Sequence, residues 1–165
     1  AAQLENTPLS CIMMDIDHFK KTNDVDGPQA GDYVIKMVAE VMKETFRKTD
    51  VMCRYGGEEF LAILPGTELP GAIIAAEKFR MNVANYTYEF DGTVIPVTMS
   101  SGVAQIKIGF ENGDQAIARA DAALYNSKES GRNHVSFHDG DGLKTHPRSA
   151  ENENLEIPPA DLDES

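Results

Sequence analysis

Hydrophobic residues along this chain follow two periods in turn. Leu9-Ser10-Cys11-Ile12-Met13-Met14 is a short apolar run closed by Asp15, and it reads as a strand over residues 9 to 15. A brief helical turn follows through Phe19-Lys20-Lys21. From about Gln29 to Arg47 the period changes: Val34, Val38, Val41 and Met42 recur near every 3.6 residues, so a helix buries that stripe. Val51-Met52-Cys53 and Phe60-Leu61-Ala62-Ile63-Leu64 flank Arg-Tyr-Gly-Gly-Glu-Glu, which predicts antiparallel strands at about 51 to 55 and 59 to 64. The glycine pair is expected to supply the positive φ of a tight turn, and Pro65-Gly66 ends the hairpin.

A second helix is predicted from about Pro70 to Tyr86, with Ala72, Ala75, Ala76, Phe79 and Val83 on its inner face. Asp91-Gly92 reads as a hairpin turn between Thr87-Tyr88-Glu89-Phe90 and Val94-Ile95-Pro96-Val97-Thr98-Met99, and Gly102 as a bulge. A last helix spans about Asp114 to Ser130, burying Ile117, Ala120 and Leu124, with Gly131 as its C-terminal cap. Residues 134 to 137 close the sheet. This β-α-β-β-α-β order predicts an α+β fold: a ferredoxin-like antiparallel sheet with helices on one face.

Length and composition change the picture only at the ends. The 165 residues, 41% of them hydrophobic, suit one domain with one core. The net charge of −12 excludes a general nucleic-acid or acidic-membrane binder. Much of that charge lies beyond residue 137, where eight acidic residues face only Lys144 and Arg148. Residues 1 to 137 are therefore the expected catalytic domain, and 138 to 165 an acidic tail expected to be disordered or loosely draped. Cys11 and Cys53 lack any metal-binding spacing and read as buried free thiols in a reducing, cytoplasmic setting. No apolar run reaches the 18 or so residues of a membrane span, and no signal peptide is legible.

The chemistry is carried by carboxylates. Asp15 and Asp17 close the first strand, and Glu58 and Glu59 follow the glycine pair. If the two strands are neighbours, four acids meet at one end of a sheet, an arrangement that repels itself unless a hard divalent cation is bound through oxygen. An all-oxygen set favours Mg²⁺ over Zn²⁺.

Asp-Ile-Asp-His-Phe-Lys-Lys-Thr-Asn-Asp, then Gly31-Asp32, then Arg-Tyr-Gly-Gly-Glu-Glu-Phe, then Lys-Glu-Ser-Gly-Arg-Asn together resemble the GGDEF domain, the diguanylate cyclase family, in its Gly-Gly-Glu-Glu-Phe form. The resemblance runs from about Leu9 to Phe137. It implies the palm-like fold of nucleotidyl cyclases, and a reaction condensing two GTP into cyclic di-GMP with release of two pyrophosphates. It assigns the metal, Mg²⁺ with Mn²⁺ as an alternative, to Asp15, the carbonyl of Ile16, Glu58 and Glu59, and makes Glu58 the proton acceptor. Substrate contacts fall to Phe19, Lys20, Asn23, Asp32, Lys128 and Arg132; Asn23 and Asp32 read guanine, and Lys20 also stabilises the transition state. Arg47-x-x-Asp50, with Lys78 nearby, matches the inhibitory product site. Lysine at 78, where relatives often carry arginine, cannot fork to an acceptor, so weaker inhibition is expected. The plainer alternatives are a turn cap for Asp15, a helix-dipole charge for Asp32, a solvated cation for Lys20 and a helix-end charge pair for Arg47 and Asp50.

The family pattern also implies a homodimer with one GTP per subunit, an upstream sensor domain in the full-length protein, and no nucleic-acid or membrane contact by this domain. Two departures stand out. Asp26 and Pro28 replace the usual aromatic and histidine between Asn23 and Gly31, which predicts reduced turnover or affinity. The family's Asp-x-Leu-Thr-x-Leu-x-Asn-Arg stretch does not precede Leu9, which leaves open a truncated chain or a segment missing from these residues, and predicts weaker stability and dimer geometry. Two rival functions follow: a catalytically weak or inactive receptor for cyclic di-GMP using Arg47 and Asp50, and a GTP-binding regulatory module.

Overall fold

The computed structural model describes residues 7–149. Its elements run β1 (Leu9–Ile16), α1 (Phe19–Asp26), α2 (Pro28–Thr45), β2 (Val51–Arg54), β3 (Glu59–Pro65) and α3 (Leu69–Asn85). They continue with β4 (Tyr88–Phe90), β5 (Thr93–Ile95), β6 (Met99–Gln105), α4 (Gly113–Glu129), β7 (Val135–His138) and β8 (Leu143–His146). Six strands form one sheet in the order β2-β3-β1-β6-β7-β8, while β4 and β5 pair by themselves. Central β1 is antiparallel to both neighbours, with Asp15 opposite Glu59 on one side and Ser100 on the other.

Because side chains alternate along a strand, β1 feeds two cores. Ile12, Met14 and Ile16 pack with Val34, Val38 and Met42 of α2 and with Ala76, Phe79 and Val83 of α3. Cys11 and Met13 face the other way, onto Ala116, Ala120 and Leu124 of α4. The helices thus cover both faces, not one, because the sheet is too apolar on either side to be left in water. The sheet is also mixed: β6 and β7 run parallel.

Several local expectations are corrected. Among the described residues, neither Gly56 nor Gly57 has a positive φ. The turn is instead a wider loop in which the amides of Tyr55 and Gly56 both donate to the Glu59 carbonyl, at 2.7 and 3.2 Å. Glycine at 56 makes room, since a Cβ there would lie 2.9 Å from Glu59 Oε1. Gly102 is no bulge either; it keeps register with Met13 and Ser136, and a Cβ would meet Ala120 O and Leu124 N at 2.1 Å, so it lets α4 lie against the sheet. Asp91 and Gly92 do form the two-residue turn, with φ of 55° and 80°, but β5 stops at Ile95 before Pro96.

Cys11 is buried, whereas Cys53 is exposed because β2 is an edge strand. The segment after Lys21 is also more ordered than a loop. α1 continues to Asp26, Gly27 breaks the chain with φ 94° and ψ 158°, and Pro28 starts α2. The tail expected to drape from residue 138 instead adds β8 to the sheet; residues 150 to 165, the rest of that tail, lie outside the described residues. Among the described residues, no helix is long and apolar enough to cross a membrane.

Candidate active site

One end of the sheet gathers the acids. β1 carries Asp15 out beside Glu59 of β3, and the Ile16 amide donates to the Glu58 carbonyl at 3.2 Å, pinning the glycine loop to the strand end. Asp15 is only 4% exposed. Its Oδ2 accepts a close hydrogen bond from Lys128 Nζ of α4, while its Oδ1 is buried without any hydrogen-bond partner. A buried carboxylate oxygen left bare is costly, which marks it as an oxygen with a ligand to find.

Electrostatics agree with that reading. Burial raises the Asp15 carboxyl above its ordinary range, against the lowering hydrogen bond and charge of Lys128. Burial likewise raises Glu58 and Glu59, and the Asp15 charge adds to both; Lys128 opposes each shift. Asp121 on α4 is a further acidic neighbour of Glu59 that no sequence motif announced. Three acids under mutual strain, one with a bare buried oxygen and all with oxygen donors, fit a hard divalent cation. Among the described residues, no three His, Cys, Asp or Glu side chains already enclose a common point.

Asp17 does not join them. Its Oδ1 accepts from Ser100 Oγ at 2.6 Å, and its Oδ2 from Thr98 Oγ1 at 2.7 Å and the Asn133 amide at 3.0 Å. The four-carboxylate cluster is therefore three acids plus a buried brace that ties β1 to β6 and to the turn after α4. Thr98 and Ser100 lay in no motif, so only the fold could supply them.

A cleft of about 600 Å³ opens against these groups, lined among others by Asp15, Ile16, Phe19, Lys20, Glu58, Lys128 and Arg132. Seven of the expected site residues thus share one surface. Lys20 is exposed and bonded to Asp24 at 3.1 Å, a weak i,i+4 pair that a ligand can displace. Glu59, Asn23 and Asp32 fall outside that lining; Asn23 packs over Gly31, where a Cβ would lie 1.8 Å from its Oδ1.

Arg47 and Asp50 lie elsewhere and hold one another. Arg47 Nη2 donates to Asp50 Oδ1 at 2.7 Å, and also to Pro65 O and Thr67 Oγ1, both at 2.9 Å. Asp50 is buried, while Arg47 keeps about half its side chain in solvent, 54%. Lys78 stands exposed on α3.

An α+β palm-like sheet with acids at one strand end and Lys20, Lys128 and Arg132 along the same cleft defines the class of fold and site. More narrowly, the chain belongs to the GGDEF family: the family model for the diguanylate cyclase GGDEF domain matches residues 1–134. It is 43% identical over 129 residues to diguanylate cyclase A of Treponema denticola, covering 78% of this chain and 35% of that protein. It is 39% identical over 136 residues to the response regulator PleD of Caulobacter vibrioides, covering 81% and 30%. The chain thus spans about a third of the length of these curated relatives. Among solved structures it matches the GGDEF domain of DgcB from Caulobacter crescentus in complex with c-di-GMP, with a TM-score of 0.77, 38% identity and 82% of each chain covered. It also matches the active GGEEF domain of a diguanylate cyclase from Vibrio cholerae, with a TM-score of 0.78, 31% identity, and 85% and 88% covered.

Proposed function

We propose that this chain is the catalytic domain of a diguanylate cyclase, condensing two GTP into cyclic di-GMP and two pyrophosphates. The observation that carries the proposal is the bare, buried Oδ1 of Asp15 beside Glu58 and Glu59, at the mouth of a cleft with Lys128 and Arg132. Asp15, the Ile16 carbonyl, Glu58 and Glu59 would hold Mg²⁺, which supplies charge neutralisation at the triphosphate and activation of the 3′-hydroxyl.

The chain's own residues do the rest. Lys128 and Arg132 draw in and orient phosphates, Lys20 meets charge developing on the transferring group, and Asn23 with Asp32 select guanine. Glu58, its basicity raised by burial and by Asp15, takes the hydroxyl proton. Each 3′-oxygen forms a bond to the α-phosphorus of the other GTP, and the bond from that phosphorus to pyrophosphate breaks. One subunit presents one GTP, so two copies must face each other as a symmetric dimer. Arg47, Asp50 and Lys78 form the product-binding surface, and an upstream cytoplasmic sensor would bring two copies together.

The test is to dimerise the domain artificially and incubate it with GTP and Mg²⁺. Cyclic di-GMP should accumulate, and Glu58→Gln should stop it. GTP binding without product would instead favour a regulatory module.

A further inference from the structure

The family match ends at residue 134, yet the chain continues as an ordered hairpin whose far end returns to the site. The turn that carries Arg132 is conformationally expensive. Gly131, Arg132 and Asn133 stand in succession at φ of 107°, 64° and 51°, and two of the three are not glycine. Residues in such a conformation need their surroundings to hold them there.

The body of the domain supplies part of that hold, with the Asn133 amide donating to Asp17 Oδ2 and the Arg132 amide to Ser127 O, both at 3.0 Å; the extension supplies the rest. Arg148 Nε donates to Asn133 O at 2.8 Å, and its Nη2 to Arg132 O at 3.0 Å. The Ser149 amide donates to Glu77 Oε2 at 2.8 Å. Glu77 in turn grips Arg80 through two oxygens, and Arg80 reaches Asn133 Oδ1 at 2.8 Å. Thr145 of β8 sits against the end of α4 that bears Lys128, accepting from Asn126 Nδ2 at 2.8 Å and lying 3.2 Å from Ser130 Oγ. The hairpin and the residues after it therefore touch the supports of Lys128 and Arg132 without entering the cleft lining.

We infer that the β7–β8 hairpin and the residues just after it form a positioning latch, in which Arg148, two residues beyond β8, fixes the strained turn so that Arg132 meets the nucleotide's phosphates. This inference rests on the reading of Arg132 as a phosphate contact. Arg148 is a positioning residue, not a catalytic one. Fixing a charged group before the ligand arrives lowers the ordering cost that binding would otherwise carry.

The test uses the full chain with Mg²⁺ and 3′-deoxy-GTP, a GTP analogue that cannot cyclise, titrated calorimetrically. Arg148→Ala should weaken binding about fivefold with a near-native thermal midpoint, Arg148→Lys should recover part, and Arg132→Ala/Arg148→Ala should bind no worse than Arg132→Ala alone. Amide exchange at Arg132 and Asn133 should also quicken in Arg148→Ala. Native affinity in Arg148→Ala, or additive losses in the double variant, would overturn the latch. If Arg148→Ala does not fold, Arg148→Gln, which loses the forked donors but keeps a polar stem, makes the same comparison: weaker binding supports the latch and native binding overturns it. Native affinity in Arg132→Ala removes the phosphate reading, and the latch with it; a latch failure alone shows as weak Arg132→Ala beside native Arg148→Ala.

Discussion

Lys128 and Asp15, 113 residues apart, are joined by a close hydrogen bond between the ammonium and Oδ2. The acid proposed as a metal ligand therefore already holds a cation from the protein. Lys128 offsets the charge of the cluster and competes with any divalent ion for the same carboxylate. Lys128→Ala should raise Mn²⁺ affinity of the nucleotide-free chain, read by electron paramagnetic resonance, because a neighbouring positive charge is gone. The same variant should lose about tenfold or more in turnover, since a charged phosphate contact goes with it. Unchanged Mn²⁺ affinity would mean that Lys128 and the metal do not share Asp15.

Asp15, Glu58 and Glu59 are all raised above their ordinary values of 3.8, 4.5 and 4.5, chiefly by burial, which is nearly complete for Asp15 and partial for the two glutamates. Between those values and the raised ones, the folded chain binds more protons than the unfolded chain. Stability therefore rises as pH falls through the raised values, and levels off below the ordinary ones. Thermal midpoints of the nucleotide-free chain should show this rise on acidification relative to Glu58→Gln/Glu59→Gln, whose profile should be flatter. Metal-dependent turnover should move the opposite way, falling as the same carboxylates take up protons.

How much of this was legible in the sequence depended on whether the signal was local. The stripe Val34, Val38, Val41 and Met42 and the Asp91-Gly92 turn are read from neighbouring residues, and all appear as expected. The approach of Asp15 to Glu59 was foreseeable because each ends an apolar strand. Asp17 could not be assigned, since its partners Thr98, Ser100 and Asn133 come from distant segments with no motif. Gly102 was misread for the same reason: the α4 residues that crowd it, Ala120 to Leu124, are 18 or more residues downstream. β8 was missed because Leu143-Lys144-Thr145-His146 is polar, and it pairs as an exposed edge strand.

Gly31 tests the guanine-reading assignment. A Cβ at this position would lie 1.8 Å from Asn23 Oδ1 and 3.2 Å from the Phe19 ring. The nearest atom is the tip of a partly exposed side chain, which can swing away, so Gly31→Ala should fold. Displacing Asn23 should weaken GTP binding and narrow the preference for GTP over ATP, measured by parallel titrations. Retained discrimination would show that Asn23 does not read the base.

Gly102 should behave differently, because what its Cβ would strike is backbone. Ala120 O and Leu124 N, each 2.1 Å away, cannot move without lifting α4 from the sheet. Gly102→Ala should cost about 3 kcal/mol or more, at or beyond the usual range for overpacking. Urea denaturation followed by circular dichroism would measure it, and a native midpoint would contradict the close approach of α4.

Arg47 has two roles that one substitution cannot separate. Its guanidinium is the side-chain partner of the buried Asp50 carboxylate, bonding Oδ1 at 2.7 Å, while the Arg47 amide also donates to Oδ2 at 2.9 Å. Removing the side chain leaves Oδ1 without that bond, which should cost about 1 to 3 kcal/mol. Arg47→Ala should therefore unfold at lower denaturant while also relieving product inhibition. Lys78→Ala, on the exposed face of α3, removes a cation of the proposed product surface without touching that buried pair. It should keep native stability and show a higher product concentration at half-inhibition. If inhibition by cyclic di-GMP survives Arg47→Ala unchanged, the pair is structural and product binds elsewhere.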